Sequence, residues 1–322
     1  MCKPIRELKS NVMSELTDIS NPVYHIPAML GEVLDGLCID ACKPQVFVDA
    51  TFGGGGHSRG IAERMGKQSR LYGIDQDLDA YANRIDDERF TFVRSNFRYV
   101  ANFMDYYGVS QVDGILADLG VSFHHFDAAE RGFSFRYDAP LDMRMNAKQR
   151  LSAADIINGY SEEELARVLY LYGEFNNSRA IAAQIIRKRA QGAIQTTQQL
   201  QDCVRLKDKQ DYARLFQALR IEVNDELGAL RELLQASVEL LAPGGRVVIL
   251  TYHSLEDRIV KNFMRSGNTE GTIEKDFYGN PLTPFRVIEK GRTASAEEVA
   301  RNPRARSAKL RVAEKIANAK NE

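Results

Sequence analysis

Three carboxylates and a run of glycines are spaced as a nucleoside site requires. The segment Asp49-Ala-Thr-Phe-Gly53-Gly54-Gly55-Gly56-His57 follows the apolar run Val46-Phe-Val48. Four glycines let backbone approach a ligand closely and offer amide N–H groups at the start of a helix. Asp75 follows Gly55 by twenty residues. A carboxylate ending the next strand at that distance accepts hydrogen bonds from both hydroxyls of a ribose. The third carboxylate, Asp118, closes the run Asp113-Gly-Ile-Leu-Ala and would face the same crevice. Together these residues imply a ligand that carries a nucleoside. The dinucleotide fingerprint needs a third glycine three residues after its second; counted from Gly53 that place is Ser58, and from Gly54 it is Arg59. The fingerprint is therefore broken.

Placing these groups together requires alternating strands and helices. Beyond the glycines comes a helical stretch around Ile61 to Met65, then Leu71 to Ile74 as a second strand and Leu78 to Ile85 as its helix. Phe90 to Val93 reads as a third strand, Phe97 to Tyr107 as a helix and Val112 to Ala117 as a fourth strand. Such alternation implies a parallel, doubly wound sheet with helices on both faces. Its ligands bind past the carboxyl ends of the strands, where strand order reverses. The alternation stops after Gly120. Leu151 to Leu219 reads as wholly helical, with Ser161-Glu-Glu-Glu164 as a capping box. The sheet pattern resumes with a helix from Asp225 to Leu241, the turn Pro243-Gly-Gly245 and a strand from Arg246 to Tyr252. A helix then begins near Ser254, whose hydroxyl suits an N-cap, and a closing strand runs from Ser307 to Val312. Leu8 to Gly31 reads as a polar arm, broken by Pro22 and Pro27.

The 322 residues carry 43 Lys and Arg against 44 Asp and Glu, a formal charge of -1. That balance argues against a broad basic coat for non-specific DNA binding. A hydrophobic content of 44% with 27% charged residues is that of an ordinary globular protein. No apolar run approaches the ~18 residues of a membrane span, and the first twenty residues lack the apolar centre of a signal peptide. Cys2, Cys38, Cys42 and Cys203 show no metal-type spacing. A reduced, cytoplasmic protein without disulfides is expected.

The spacing of Asp49, Gly53 and Gly55 resembles the first motif of class I S-adenosylmethionine methyltransferases, and Ala242-Pro-Gly-Gly245 resembles the turn before the fifth strand of that fold. Longer motifs narrow the resemblance. Asp118-Leu-Gly-Val-Ser122, Ala129-Glu-Arg-Gly-Phe-Ser134, Pro140-Leu-Asp-Met-Arg-Met145, Phe216-Gln-Ala-Leu-Arg220, Asn224-Asp-Glu-Leu227, Tyr252-His-Ser-Leu-Glu-Asp-Arg258 and Asn302-Pro-Arg follow one another in order. They resemble the bacterial family of ribosomal RNA small subunit methyltransferase H, also called MraW, from about His25 to Val312. The resemblance implies N4-methylation of a cytidine in the decoding centre of 16S rRNA (conventional position 1402) within the small ribosomal subunit, with S-adenosyl-L-methionine as cofactor. It also implies a Rossmann-like class I methyltransferase sheet with an inserted all-helical domain. The chain would divide into an arm at 1–24, a discontinuous cofactor domain at 25–125 and 220–322, and a helical substrate-recognition domain at 126–219. The family's cofactor contacts fall on Gly55, Gly56, His57, Asp75, Phe97 and Asp118. A last contact, commonly glutamine, falls on His125.

The reacting group has two readings. Asp118 would accept an amino hydrogen of the target base, localising its nitrogen lone pair as the new bond forms, or it would hold the amino group of the cofactor's methionine. DNA amino-methyltransferases carry Asp/Asn/Ser-Pro-Pro-aromatic at this place; Leu119-Gly120 departs from it, so DNA is not the expected substrate. Tyr252 and His253, ending the fifth strand, are candidate catalytic residues, and Ser254 a candidate base contact. Phe123, Phe126, Phe133, Phe135 and Tyr137, with Arg131, Arg136 and Arg144 among them, would either stack unpaired RNA bases or form an apolar seam between domains. Arg131 and Arg136 are the candidate phosphate contacts. His57, His124, His125 and His253 fall in crevice loops, but no Cys/His/carboxylate spacing supports a metal, and none is expected. Arg286 to Glu322 holds ten Lys and Arg against five acids, either a solvated face or an RNA contact through Arg301, Arg304, Arg306, Lys309 and Arg311; Arg187-Lys-Arg189 has the same two readings. Two rival functions share many of these residues: an NAD-dependent oxidoreductase and a non-catalytic RNA-binding factor of ribosome assembly.

Overall fold

The computed structural model describes residues 27–120, 131–279 and 281–317. Its sheet has seven strands: β1 (Val46–Asp49), β2 (Arg70–Asp75), β3 (Phe90–Arg94), β4 (Val112–Asp118), β5 (Leu241–Thr251), β6 (Phe285–Thr293) and β7 (Lys309–Lys315), in the order β3-β2-β1-β4-β5-β7-β6. The first five are parallel, and β7 runs antiparallel to both β5 and β6. This is the Rossmann-like class I arrangement expected from the sequence. Strand order reverses between β1 and β4, which puts the switch-point crevice at Asp49 and Asp118.

Alternation along each central strand feeds two cores. Phe47, Leu71, Leu116 and Val248 enter one face, packed on α1 (Leu30–Gly36) and α2 (Gly56–Arg64). Val48, Tyr72, Ile115 and Val247 enter the other, packed on α3 (Val100–Tyr106) and later helices. A period of two with both faces apolar is the mark of a sheet covered on each side.

Between β4 and β5 the chain forms a layer of helices with its own core: α4 (Ala153–Gly159), α5 (Glu162–Gly173), α6 (Ser178–Arg189), α7 (Thr197–Cys203) and α8 (Lys209–Asn224). Ser152, Ser161 and Thr196 open α4, α5 and α7 with reciprocal capping boxes. The 219/220 boundary drawn from the sequence falls inside α8, whose Val223 still belongs to the helical core. α9 (Glu226–Leu240) then returns the chain to the sheet, and α10 (Ser254–Ser266) and α11 (Ala296–Arg301) complete the helices.

Several local expectations change. The stretch from Leu78 is only a 3₁₀ turn at Asp79–Asn83, because Leu78 and Tyr81 stay exposed and supply no buried stripe. The arm extended from the sequence to Gly31 ends earlier, since α1 begins at Leu30. The Pro243 turn is enclosed within β5: pairing passes from Val112↔Leu241 to Gly114↔Arg246, leaving 242–245 as an irregularity. β6 lies in the segment read as a basic tail; it is the sheet edge, and three of its five exposed positions, Arg286, Lys290 and Arg292, are charged.

Candidate active site

Past the carboxyl ends of β1, β2, β4 and β5 lies a cavity of about 1260 Å³. Sheet loops form one wall; Phe133 to Tyr137 and the α8 residues Ala213, Phe216, Gln217 and Arg220 form the other. The glycine loop is braced from below. Gly53 N–H donates to Asp75 Oδ2 at 2.8 Å, and Asp77 N–H donates to Asp75 Oδ1 at 2.8 Å. A carboxylate accepts up to about four hydrogen bonds, so this bracing is compatible with receiving ribose hydroxyls as well. Gly53, Gly54, Gly56, His57, Asp75, Phe97 and Asp118 line the cavity. Gly55 is not among its lining residues. It is the N-cap of α2 at φ +74°, where an added Cβ would lie 2.9 Å from the Phe52 ring, so its glycine serves the turn. At Gly54 an added Cβ would meet nothing within 4 Å. That open backbone, the carboxylate beyond it and a cavity of this size fit a nucleoside cofactor such as S-adenosylmethionine. His125 lies outside the described residues, as do Phe123, His124 and Phe126.

At the switch point Asp118 is held from three sides. Its backbone N–H donates to Thr51 Oγ1 at 2.6 Å. Its Oδ1 accepts from the Tyr252 hydroxyl at 2.7 Å, and its Oδ2 lies 3.6 Å from His57 Nδ1. Desolvation in the cavity floor raises the Asp118 carboxyl above its usual range; His57 and the Tyr252 hydroxyl oppose that rise, and Asp49 and Glu256 add to it. Burial first, then the Asp118 charge, raises the Tyr252 hydroxyl well above its usual range, so it stays a donor. Gly120, at φ +123°, would place a Cβ 3.2 Å from the Tyr252 ring. The aromatic side chain absent after Asp118 in sequence thus arrives from the residue that follows β5.

The next two residues behave differently from their sequence reading. His253, not Ser254, is the N-cap of α10, in a capping box with Glu256. Glu256 N–H donates to His253 Nδ1 at 3.4 Å, and His253 Nε2 lies 3.0 Å from Glu256 Oε1 without the alignment of a hydrogen bond. His253 lines the cavity, and both its nitrogens face Glu256. Ser254 Oγ donates to Glu174 Oε2 at 2.8 Å, and Ser254 is not a lining residue. Glu256, which the sequence did not single out, also accepts from the Tyr252 amide at 2.9 Å. Burial works to raise its carboxyl, but His253 and that amide bring it below its ordinary value. Among the described residues Glu226, His253 and Glu256 place ligand-type atoms within 4.8 Å of one another. This grouping closes on itself: Arg220 holds Glu226 through two bonds of 2.8 and 3.0 Å, and Glu256 is engaged as above.

The two arginines expected on phosphate also separate. Arg131 Nη1 donates to Asp77 Oδ2 at 2.9 Å, and Nη2 donates to the carbonyls of Arg144 and Met145 at 2.5 and 2.9 Å. It ties the β2 loop to the segment entering the helical layer and does not line the cavity. Arg136 is exposed and lines the cavity beside Tyr137. The aromatic residues divide as well: Phe133 is buried in the helical core, Phe135 packs edge-on against Phe216 at 5.7 Å, and Tyr137 is exposed at the cavity. In the basic tail Arg311 is buried against Asp257 at 2.7 Å and is not open to RNA, whereas Lys309, 3.5 Å from the same carboxylate, stays exposed; Arg304 lines the cavity. No helix among the described residues is long and apolar enough to cross a membrane.

A family model described as the MraW methylase family matches residues 22–316. Ribosomal RNA small subunit methyltransferase H of Phocaeicola vulgatus is 54% identical over 91% of this chain and 98% of its own length. The protein of the same name from Parabacteroides distasonis is 55% identical over 91% and 98%. Among solved structures, an rRNA methylase from Streptococcus thermophilus aligns over 91% of this chain and 99% of its own at 12% identity, with a TM-score of 0.41.

Proposed function

Since the chain belongs to the MraW methylase family, and is thus a methyltransferase supplied by S-adenosylmethionine, we propose that it acts in the cytoplasm on 16S rRNA of the small ribosomal subunit, and that its acceptor is the N4 amine of a decoding-centre cytidine. The relatives' names and the family motifs support the RNA substrate. The observation that supports an amine acceptor is the Asp118–Tyr252 pair at the cavity floor, next to the glycine loop.

The bound cofactor supplies an electrophilic methyl group on a sulfonium. The chain's own residues do the rest. Gly53, Gly54 and Gly56 offer close backbone approach, Asp75 takes the ribose hydroxyls, and Phe97 lies against the nucleoside. Asp118 accepts a hydrogen of the target amine, which aligns its lone pair and receives the proton the methylated amine sheds. Tyr252 fixes that carboxylate through its 2.7 Å bond. Glu256 and His253 position Tyr252 from the helix start. Tyr137 and Arg136, on the opposite wall, meet the RNA around an extruded base.

Incubating the protein with small subunits and methyl-labelled S-adenosylmethionine, then digesting 16S rRNA to nucleosides for mass spectrometry, tests this. Label on cytidine N4 is expected; label on a ring carbon or ribose, or none, refutes it.

A further inference from the structure

After α11 the chain makes a 3₁₀ turn, Pro303–Ser307, before it enters β7. Ala305 N–H donates to the Asn302 carbonyl at 3.0 Å, and Ala308 N–H to the Ala305 carbonyl at 2.9 Å. With three residues to a turn, side chains three apart share an edge. Asn302, Ala305 and Ala308 form the buried edge, and the two alanines enter the core that also holds Ala28 and Met29. Arg304 and Ser307 form a second edge, exposed and lining the cavity. Arg306 stands on the third, exposed but not a lining residue. Pinned along one edge, the turn presents a guanidinium and a hydroxyl together at the cavity rim.

Charge divides the cavity lining by side. Asp75, Asp77 and Asp79 line it at and after the end of β2, and Asp118 at the end of β4. Three arginines line it among the described residues, and Arg220 is bound to Glu226 through two bonds. The other two, Arg136 on the helical wall and Arg304 on the sheet wall, are exposed. A polyanion at the mouth is repelled from the β2 side and drawn to these two. We infer that Arg304 and Ser307 together bind a backbone phosphate of single-stranded RNA, so that the strand crosses the mouth between this turn and the Arg136 segment. This rests on the RNA substrate proposed above and adds its path. Arginine and serine side chains are both regular partners of phosphate oxygens. Contacts on either side of the cavity leave the nucleotide between them to enter it, which a strand held in a duplex would not allow.

Binding of the full chain to small subunits and to protein-free 16S rRNA, measured at several salt concentrations, tests this. Arg304→Gln keeps length and polarity and removes one charge. The slope of log affinity against log salt is expected to fall by about 0.7–0.9, which at 0.1 M salt is about five- to eightfold in affinity. Arg306→Gln removes the same charge from the neighbouring edge and is expected to keep the wild-type slope. Ser307→Ala removes a neutral donor, so affinity is expected to fall about two- to tenfold at every salt concentration with the slope unchanged. A wild-type slope in Arg304→Gln, or an equal loss in Arg306→Gln, overturns the inference, as does wild-type affinity in Ser307→Ala. A slope lowered on small subunits but not on protein-free rRNA places a ribosomal protein on the turn and overturns the RNA contact. Weakened S-adenosylmethionine binding by Arg304→Gln with an unchanged slope gives Arg304 to the cofactor instead, and overturns it too. These slopes are read without turnover, so failure of the wild type to label cytidine N4 refutes the proposed reaction and leaves the turn to be judged by binding.

Discussion

Replacing Asp75 with asparagine separates its bracing of the glycine loop from the hold on ribose proposed for it. In the free protein its oxygens each accept a backbone N–H at 2.8 Å, from Gly53 and from Asp77. Asparagine has the same shape but one acceptor oxygen, so one amide then faces an NH₂ group and the other bond loses its charge assistance. Hydrogen bonds to charged groups are worth about 1.5–3 kcal/mol and neutral ones about 0.5–1.5, so the free loop loses about 2 kcal/mol. At roughly 2–4 °C per kcal/mol for domains of somewhat smaller size, the unfolding midpoint without cofactor falls by roughly 4–8 °C. If ribose hydroxyls also bond to Asp75, affinity drops further, by about 1–3 kcal/mol. At about 1.4 kcal/mol per tenfold, that is a Kd roughly 5- to 150-fold weaker. Differential scanning fluorimetry reads the first effect and isothermal titration with S-adenosylmethionine the second. A lowered midpoint with an unchanged Kd would refute the ribose assignment and leave Asp75 as a brace for the glycine loop alone.

Tyr252→Phe leaves Asp118 Oδ1 without its donor; turnover falls by about tenfold, on a cost of about 1–3 kcal/mol for an orphaned buried acceptor, while cofactor affinity holds. Wild-type turnover at neutral pH would exclude the pair from the reaction. Arg136→Ala weakens binding to small subunits and lowers the slope of log affinity against log salt by about one, whereas Arg131→Ala lowers the unfolding midpoint through the lost tie to Asp77 and the Arg144 and Met145 carbonyls. Binding isotherms at several salt concentrations and thermal melts distinguish the two, and exchanged phenotypes would reverse the assignments. Asp257→Asn leaves the Arg311 guanidinium buried against a neutral amide and costs about 3 kcal/mol at pH 7. Burial works to raise the Asp257 carboxyl, but Arg311 and Lys309 bring it below its ordinary value. Its contribution is therefore present above about pH 4, the unfolded carboxyl value, and is lost as pH falls through the lower folded value. Urea unfolding at pH 7 and pH 3 should show the gap between wild type and variant closing at the acid end; an equal gap at both would refute the ion-pair account.

The parallel core was legible because β1, β2 and β4 are short apolar runs ending in aspartate, and burial on both faces leaves that pattern little latitude. β6 was not, since an edge strand needs only one covered face and its Arg286, Lys290 and Arg292 read as a solvated tail. The glycine loop, Asp75 and Asp118 could be found by spacing along the chain. The pairing of Asp118 with its partners could not, because Thr51 and His57 reach it from the glycine loop and Tyr252 from the end of β5. Arg131 and Arg136 look alike in sequence and part only when Asp77 is brought beside one of them. His253 went unseen as a cap because the residues sought at helix starts are Ser, Thr, Asp and Asn, and Ser254 stands next to it. The His-x-x-Glu spacing was the signal that could have found it.

The separation of β4 from β5 shapes how a growing chain assembles this sheet. The two are hydrogen-bonded neighbours, yet residues 119–240 lie between them. At about 5–20 residues per second, synthesis of that stretch takes roughly 6–25 s. Throughout that interval any nascent sheet built from β1 to β4 ends in an apolar strand whose outer edge has no partner, the kind of template on which other chains add. The helical layer has its own core and emerges in that same window, so it can condense before β5 arrives and draw the two strand ends into register.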